Sequence, residues 1–237
     1  MPHVSRRVFG KAAAAATVAM VVAACGSTPA APPSITVTFI RHAESEANAA
    51  GVINTVVPGP GLTPEGGQQA QKVANDLRGK NYDGVFASAM VRTQETAAPL
   101  AKDLGKQVQV LPGLNEISAG RFEGESGAGA MAAYFVAPSA WLKGDRNAAI
   151  PESINGNQFN NDFTAAVQKI YDSGDKNPVA FSHGAAIMVW TAMNVTNPKD
   201  SLLTTHPLPN VGRVVIRGNP TTGWTLVSWD GLDQTGS

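Results

Sequence analysis

The sequence predicts an α/β fold with three α/β/α layers, in which helices cover both faces of a largely parallel central sheet. Three observations carry that expectation. Short β-branched runs alternate with apolar residues at helical spacing between residues 35 and 230. Arg41-His42, Ser88 and Ser182-His183 each end one of those runs, and the carboxyl ends of parallel strands are where such sheets hold ligands. Apolar residues make up 43% of the 237-residue chain and charged ones 15%, enough to bury a core and unlike a disordered polyampholyte or a coiled coil.

The elements follow in order. Residues 35–40 (ITVTFI) read as a strand running straight into Arg41-His42. Thr63-Pro64-Glu65 opens a helix, with Thr63 as N-cap and Pro64 in the first turn. Ala70, Val73, Ala74 and Leu77 continue it up to Arg78. Residues 85–87 form a second strand ending at Ser88, residues 92–104 a helix, and residues 107–110 a third strand. Residues 125–158 are rich in Gly, Ala and Asn with weak periodicity, which predicts an insertion of short helices. Phe159, Phe163, Val167 and Ile170 mark one face of a helix over 159–171. A strand at 179–182 and a helix at 185–193 come next, and residues 211–217 and 224–229 pair as a terminal hairpin around Asn219-Pro220 and Gly223.

Residues 1–24 read as an export leader. Ser5-Arg6-Arg7-Val8-Phe9-Gly10-Lys11 is a basic start resembling a twin-arginine signal, and residues 12–24 form an apolar run shorter than the roughly 20 residues a membrane span needs. Val22-Ala23-Ala24-Cys25 resembles a bacterial lipobox, so Cys25, the sole cysteine, is the expected lipidation site. Residues 25–34, rich in Pro, Ala, Ser and Thr, form a tether to a domain spanning 35–237. The expectation is a monomer anchored by lipid on Cys25 to the outer face of the bacterial cell membrane. One cysteine excludes a disulfide framework and a multi-cysteine metal site. Eighteen basic residues balance eighteen acidic ones, leaving no electrostatic footprint for nucleic acid, and loss of Arg6, Arg7 and Lys11 with the leader takes the formal charge from 0 to −3.

Two histidines, two arginines and a carboxylate brought together from strand ends suit phosphoryl transfer. A phosphoryl dianion takes several N–H donors, which the guanidinium fork supplies in pairs. A neutral imidazole can attack phosphorus in line and carry the group as phosphohistidine. Positioning and charge stabilisation dominate such a reaction, and the leaving oxygen needs a proton that a carboxylic acid can donate.

Arg41-His42-Ala43-Glu44-Ser45-Glu46-Ala47-Asn48 resembles the R-H-G-E-S-x-x-N signature of the histidine phosphatase (phosphoglycerate mutase-like) superfamily, branch one. Leu62-Thr63-Pro64-Glu65-Gly66, Ser88-Ala89-Met90-Val91-Arg92-Thr93, Leu114-Asn115-Glu116-Ile117 with Gly120, Phe122, Glu123 and Gly124, and Ser182-His183-Gly184 resemble its further blocks in order. Asn210 before the last hairpin also fits. With its leader, the chain most resembles actinobacterial lipoproteins of this family. The resemblance implies a phosphoglycerate mutase-like fold and a phosphatase that needs no metal or other cofactor. It implies His42 as nucleophile and Glu116 as the acid that protonates the leaving alcohol and then activates water. Arg41, Arg92 and His183 would bind the phosphoryl oxygens, with Asn48 and the Gly184 amide beside them.

Competing readings attach to several residues. Glu123 competes with Glu116 for the acid role, and Ser45 and Ser88 are as much helix caps as site residues. His206 and the tryptophans 141, 190, 224 and 229 read as structural. Two departures from the family pattern stand out: Ala43 replaces a glycine, adding a methyl that can narrow the phosphate pocket, and Gly156-Asn157-Gln158 lacks a following arginine. Residues 124–140 contain no Arg, Lys or His to hold a bisphosphate primer, which weighs against a mutase. The alternative is a lipoprotein that binds a phosphorylated ligand or an envelope partner without turnover. The expected substrate is a small ester with a single phosphate.

Overall fold

The computed structural model describes residues 1–4 and 31–235. The expected leader beyond residue 4, the expected lipidation site at Cys25 and the expected tether up to residue 30 lie outside the described residues. Among the described residues no helix is long and apolar enough to cross a membrane.

In chain order the elements are β1 (Ile35–Arg41), α1 (Glu46–Ala49), α2 (Pro64–Leu77), β2 (Val85–Ala87), α3 (Val91–Asp103) and β3 (Val108–Val110). Next come α4 (Gly127–Tyr134), α5 (Val136–Leu142), α6 (Gly156–Asp172), β4 (Val179–Ser182) and α7 (Gly184–Asn194). The chain closes with α8 (Leu202–Thr205), β5 (Arg213–Asn219), β6 (Gly223–Trp229) and β7 (Leu232–Asp233). The start of α2 is set locally, as expected: the Thr63 side chain accepts from the Gly66 amide, and Pro64 occupies a position whose N–H needs no helical partner. A Cβ on Gly66 would fall on the Glu44 carbonyl oxygen, so α2 lies directly against the loop after His42.

Six strands and a short seventh make one sheet in the order β3-β2-β4-β1-β5-β6-β7. The β3-β2-β4-β1 half is parallel and the β5-β6-β7 half antiparallel. The sheet separates two cores through the alternation of strand side chains. Val37, Phe39, Phe86 and Ala180 face a large core built with α5, α6 and α7. Ile40, Val85, Ala87, Val179 and Phe181 face a smaller one closed by Val73 and Leu77 of α2 and Leu100 of α3. The three-layer α/β/α expectation therefore holds.

Several boundaries differ from the sequence reading, two of them for reasons the local structure shows. The helix expected from 159 begins at Gly156, because Asn155 and Gln158 form a reciprocal cap that apolar spacing does not register. The strand expected from 211 begins at Arg213, since Val211 has a positive φ of 58° and turns the chain. Residues 232–233 add a short edge strand. The 125–158 insertion does contain short helices, α4 and α5, docked through Trp141, which stacks on Phe159 at 5.7 Å and 21°.

All four tryptophans are buried, so they serve packing. Phe163 lies at the centre of their cluster, stacked on Trp190 at 5.1 Å and tilted against Phe39 at 5.7 Å. Phe163→Ala is expected to lower folding stability by about 3–5 kcal/mol, from lost transfer energy plus a cavity that rigid rings cannot fill. A fall in the denaturant midpoint at constant slope would show it; a change under 1 kcal/mol would contradict this packing.

Candidate active site

The register of two neighbouring strands builds the centre of the site. Parallel pairing sets Arg41 of β1 opposite Ser182 of β4, and the His42 amide donates to the Ser182 carbonyl at 2.9 Å. The next residue of each strand, His42 and His183, is therefore delivered to the same edge, with ring centroids 5.1 Å apart at 62°. Both imidazoles are buried, at 4% and 0% exposure.

Hydrogen bonds assign the tautomers. His42 Nδ1 lies 2.7 Å from the Ala43 carbonyl oxygen, which can only accept, so Nδ1 carries the proton and Nε2 the lone pair. Arg92 Nε donates to that Nε2 at 3.1 Å, and an Arg92 terminal amine donates to His183 Nδ1 at 3.2 Å. His183 Nε2–H then donates to Ser88 Oγ at 2.9 Å. Ser88 passes its own proton to Thr93, whose hydroxyl donates to the Met90 carbonyl. Burial, followed for His42 by the Arg92 charge and for His183 by His42 and Arg92, holds both imidazoles well below their ordinary pKa, so both are neutral at neutral pH.

Arg92, at the start of α3, also donates from its two terminal amines to the Asn54 side-chain and main-chain oxygens at 3.2 and 3.0 Å. Arg41 donates to the Leu208 carbonyl at 2.7 Å, while its Nε is buried without a partner, a donor held for a ligand acceptor. A Cβ on Gly184 would come within 3.2 Å of that Nε, so the glycine leaves the Arg41 guanidinium room at the start of α7. Asn48 uses its carbonyl oxygen on Ser45 and Asn210, leaving its amide N–H groups for a ligand. Asn210, just before β5, also donates to the His42 carbonyl at 2.9 Å, fastening the loop that follows β1.

Glu116 sits against the first turn of α7. Its Oε1 accepts from the Ile117 and Ala186 amides at 2.9 and 2.8 Å, and its Oε2 accepts only a longer 3.3 Å contact from Ala185. Burial raises its pKa, and the two short amide bonds and both arginines only partly offset that. A proton on this carboxyl is therefore favoured more than on an ordinary glutamate, and Oε2 is the oxygen free to carry it.

Arg41, His42, Asn48, Arg92, Glu116 and Gly184 line one cleft of about 220 Å³, and His183 lies immediately beneath it. Glu123 does not line it. Its carboxylate accepts from the Thr55 amide and hydroxyl and from Asn54 Nδ2, at 2.6–3.1 Å, and so clamps the loop that holds Arg92. Ser45 caps α1 in a reciprocal pair with Asn48, and Ser88 orients His183. His206 is exposed, and among the described residues its ring hydrogen-bonds Thr205. Ala43 is fully buried and outside the cleft lining, its amide donating to Thr96; its methyl does not narrow the phosphate pocket.

Sequence reasoning missed Asn54 and Thr55. Only the proximity of an Asn-Thr pair to the signature block hinted at them, and their partners Arg92 and Glu123 lie 38 and 69 residues away from Asn54. Glu123→Ala is expected to lower kcat/KM about 10²-fold by loosening Arg92. Phosphate affinity should fall with it and the pH profile keep its shape; a lost alkaline limb would instead make Glu123 the acid.

Residues 37–231 match the model of the histidine phosphatase superfamily (branch 1), and the chain belongs to that family. It is 51% identical over 217 residues to the PE-PGRS family protein PE_PGRS11 of Mycobacterium tuberculosis, covering 84% of this chain and 37% of that protein. It is 36% identical over 120 residues to the adenosylcobalamin/alpha-ribazole phosphatase of Escherichia coli, covering 51% of this chain and 58% of that enzyme. The chain thus spans between about a third and three fifths of these relatives. The mycobacterial glucosyl-3-phosphoglycerate phosphatase shares the fold, with a TM-score of 0.67 over 84% of this chain and 99% of that one, at 20% identity.

Proposed function

We propose that the protein is a phosphatase that hydrolyses phosphate monoesters through a phosphohistidine on His42. The observation that carries this is the neutral His42 imidazole, held in the tautomer that leaves the Nε2 lone pair toward Arg92, with a second imidazole 5.1 Å away. The phosphoryl oxygens take over the N–H groups of Arg41 and Arg92, which frees the His42 lone pair, and Asn48 and the Gly184 amide complete the cradle. The dianion raises the His183 pKa and makes its imidazolium a further donor. Nε2 then bonds to phosphorus as the ester P–O bond breaks, and Glu116 gives its proton to the departing alkoxide. In the second step Glu116 takes a proton from water, whose oxygen attacks phosphorus, and phosphate leaves as His42 is restored.

Relatives named as phosphatases support this reading. Export and anchoring through Cys25 remain part of the proposal on the strength of the leader and lipobox-like residues. Mixing the domain with p-nitrophenyl phosphate should release nitrophenol in a burst and leave a protein-bound phosphoryl group that is stable in alkali and lost in acid, in the presence of EDTA. Saturable binding of phosphate esters with no release would replace the phosphatase by a binding lipoprotein.

A further inference from the structure

Above its charged floor the cleft is apolar. Val52 and Ile53 line it from one side, Met131 and Phe135 of the α4–α5 insertion from another, and Met188 and Leu208 from a third. Tyr134 adds ring carbon, because its hydroxyl is spent on the Ile117 carbonyl. Met131 is 43% exposed although it lines the cleft, so the apolar wall continues to the mouth. An exposed methionine at that position contributes nothing to the core, which marks a surface kept apolar for contact with something else.

Asn54 and Thr55, which line the same cleft, are already engaged. Asn54 spends its oxygen on Arg92 and its amide on Glu123, and Thr55 donates to Glu123 while accepting from the Ala119 amide. Among the described residues that line the cleft, Arg41 and Arg92 are the only Lys or Arg side chains, and both belong to the phosphoryl cradle. A second anionic group on the substrate would meet no cation there and would lose hydration without a partner. A polyhydroxylated leaving group would find its hydroxyls facing spoken-for partners or methyl groups.

We infer that the substrate is a phosphate monoester of an apolar alcohol, aryl or alkyl, with no second anionic group, its leaving group lying between Val52-Ile53, Met131-Phe135 and Met188-Leu208. This rests on the phosphatase reading of the same cleft. It is tested without turnover by calorimetric titration of the folded domain with n-alkylphosphonates from ethyl to hexyl at neutral pH, beside 3-phosphonopropionate. Affinity is expected to rise about three- to fourfold with each added methylene, and the carboxylate-bearing compound to bind more weakly than propylphosphonate. Met131→Lys, a change at an exposed position, should flatten the series and favour 3-phosphonopropionate, whereas Met131→Leu should preserve the wild-type order. A flat series in the wild type, or tighter binding of 3-phosphonopropionate, would overturn the inference. The matching alkyl phosphates are assayed for released phosphate in parallel. Chain-length-dependent binding with no hydrolysis of any ester would sink the phosphatase reading while upholding the ligand class.

Discussion

His42→Ala is expected to lower kcat for p-nitrophenyl phosphate by at least about 10⁴-fold and to abolish the acid-labile phosphoryl label. The imidazole lines the cleft and turns its Nε2 lone pair toward Arg92, and the Ala43 carbonyl fixes that tautomer. Among the described residues no second nucleophile is placed to take over, since His183 is fully buried outside the cleft lining and its Nδ1 lone pair accepts from Arg92. The fold should survive: the loop is held by main-chain bonds from the His42 amide to Ser182 and from Asn210 to the His42 carbonyl, neither of which needs the ring. Arg41, Arg92, Asn48 and Gly184 are untouched, so vanadate or phosphate binding should persist within about tenfold (roughly 1.4 kcal/mol). Circular dichroism and a binding titration beside the assay separate loss of chemistry from loss of structure. Phosphate release within tenfold of the parent protein would remove His42 from the reaction.

Glu116→Gln is expected to divide substrates by leaving group. For ethyl phosphate, whose alkoxide needs a proton to depart, kcat/KM should fall about 10²–10⁴-fold. For p-nitrophenyl phosphate, whose phenolate leaves unprotonated, kcat/KM should change little, because it reports only the steps up to departure of the alcohol. Its kcat should still drop, and phosphoenzyme accumulate, because water then lacks its base. The glutamine oxygen can keep the bonds from Ile117 and Ala186, so the side chain stays seated. The pH dependence follows from the two shifts. Burial raises the Glu116 pKa, so activity on ethyl phosphate should fall as pH rises through that raised value. Burial and Arg92 depress the His42 pKa, so the nucleophile should protonate, and activity fall, only at a pH below the ordinary imidazole range. Glu116→Gln should erase the alkaline limb and leave the acid limb in place. Equal losses on both esters would assign Glu116 a structural role.

The residue blocks themselves marked Arg41, His42, Arg92, Glu116 and His183, and the fold brings all five together with Asn48 and Gly184. The choice between Glu116 and Glu123 was open in the sequence, where both are carboxylates in one block. In three dimensions only Glu116 lines the cleft, because the amides at the start of α7 receive it there while Asn54 and Thr55 draw Glu123 away, which favours Glu116 for the proposed acid. The cleft walls were illegible for a similar reason. Val52, Met131 and Met188 lie on three separate segments, and a methionine in a helix pattern carries no mark of whether it faces core or cleft.

By itself the sequence determined what depends on near neighbours in the chain: the Thr63-Pro64 helix start, the strand runs into Arg41-His42 and Ser182-His183, and which side chains are candidates for the site. Caps, turns and apolar spacing act within a few residues, so they are written locally. Tertiary structure decided that β4 lies beside β1 with Arg41 opposite Ser182, that β5 closes the other side antiparallel, and that Glu116 meets the first turn of α7. Those outcomes depend on which apolar faces bury against each other between segments far apart in the chain, the nearest of them, Glu116 and Ala186, 70 residues apart. The His42–His183 pair is a product of strand register, and register is a property of the assembled sheet.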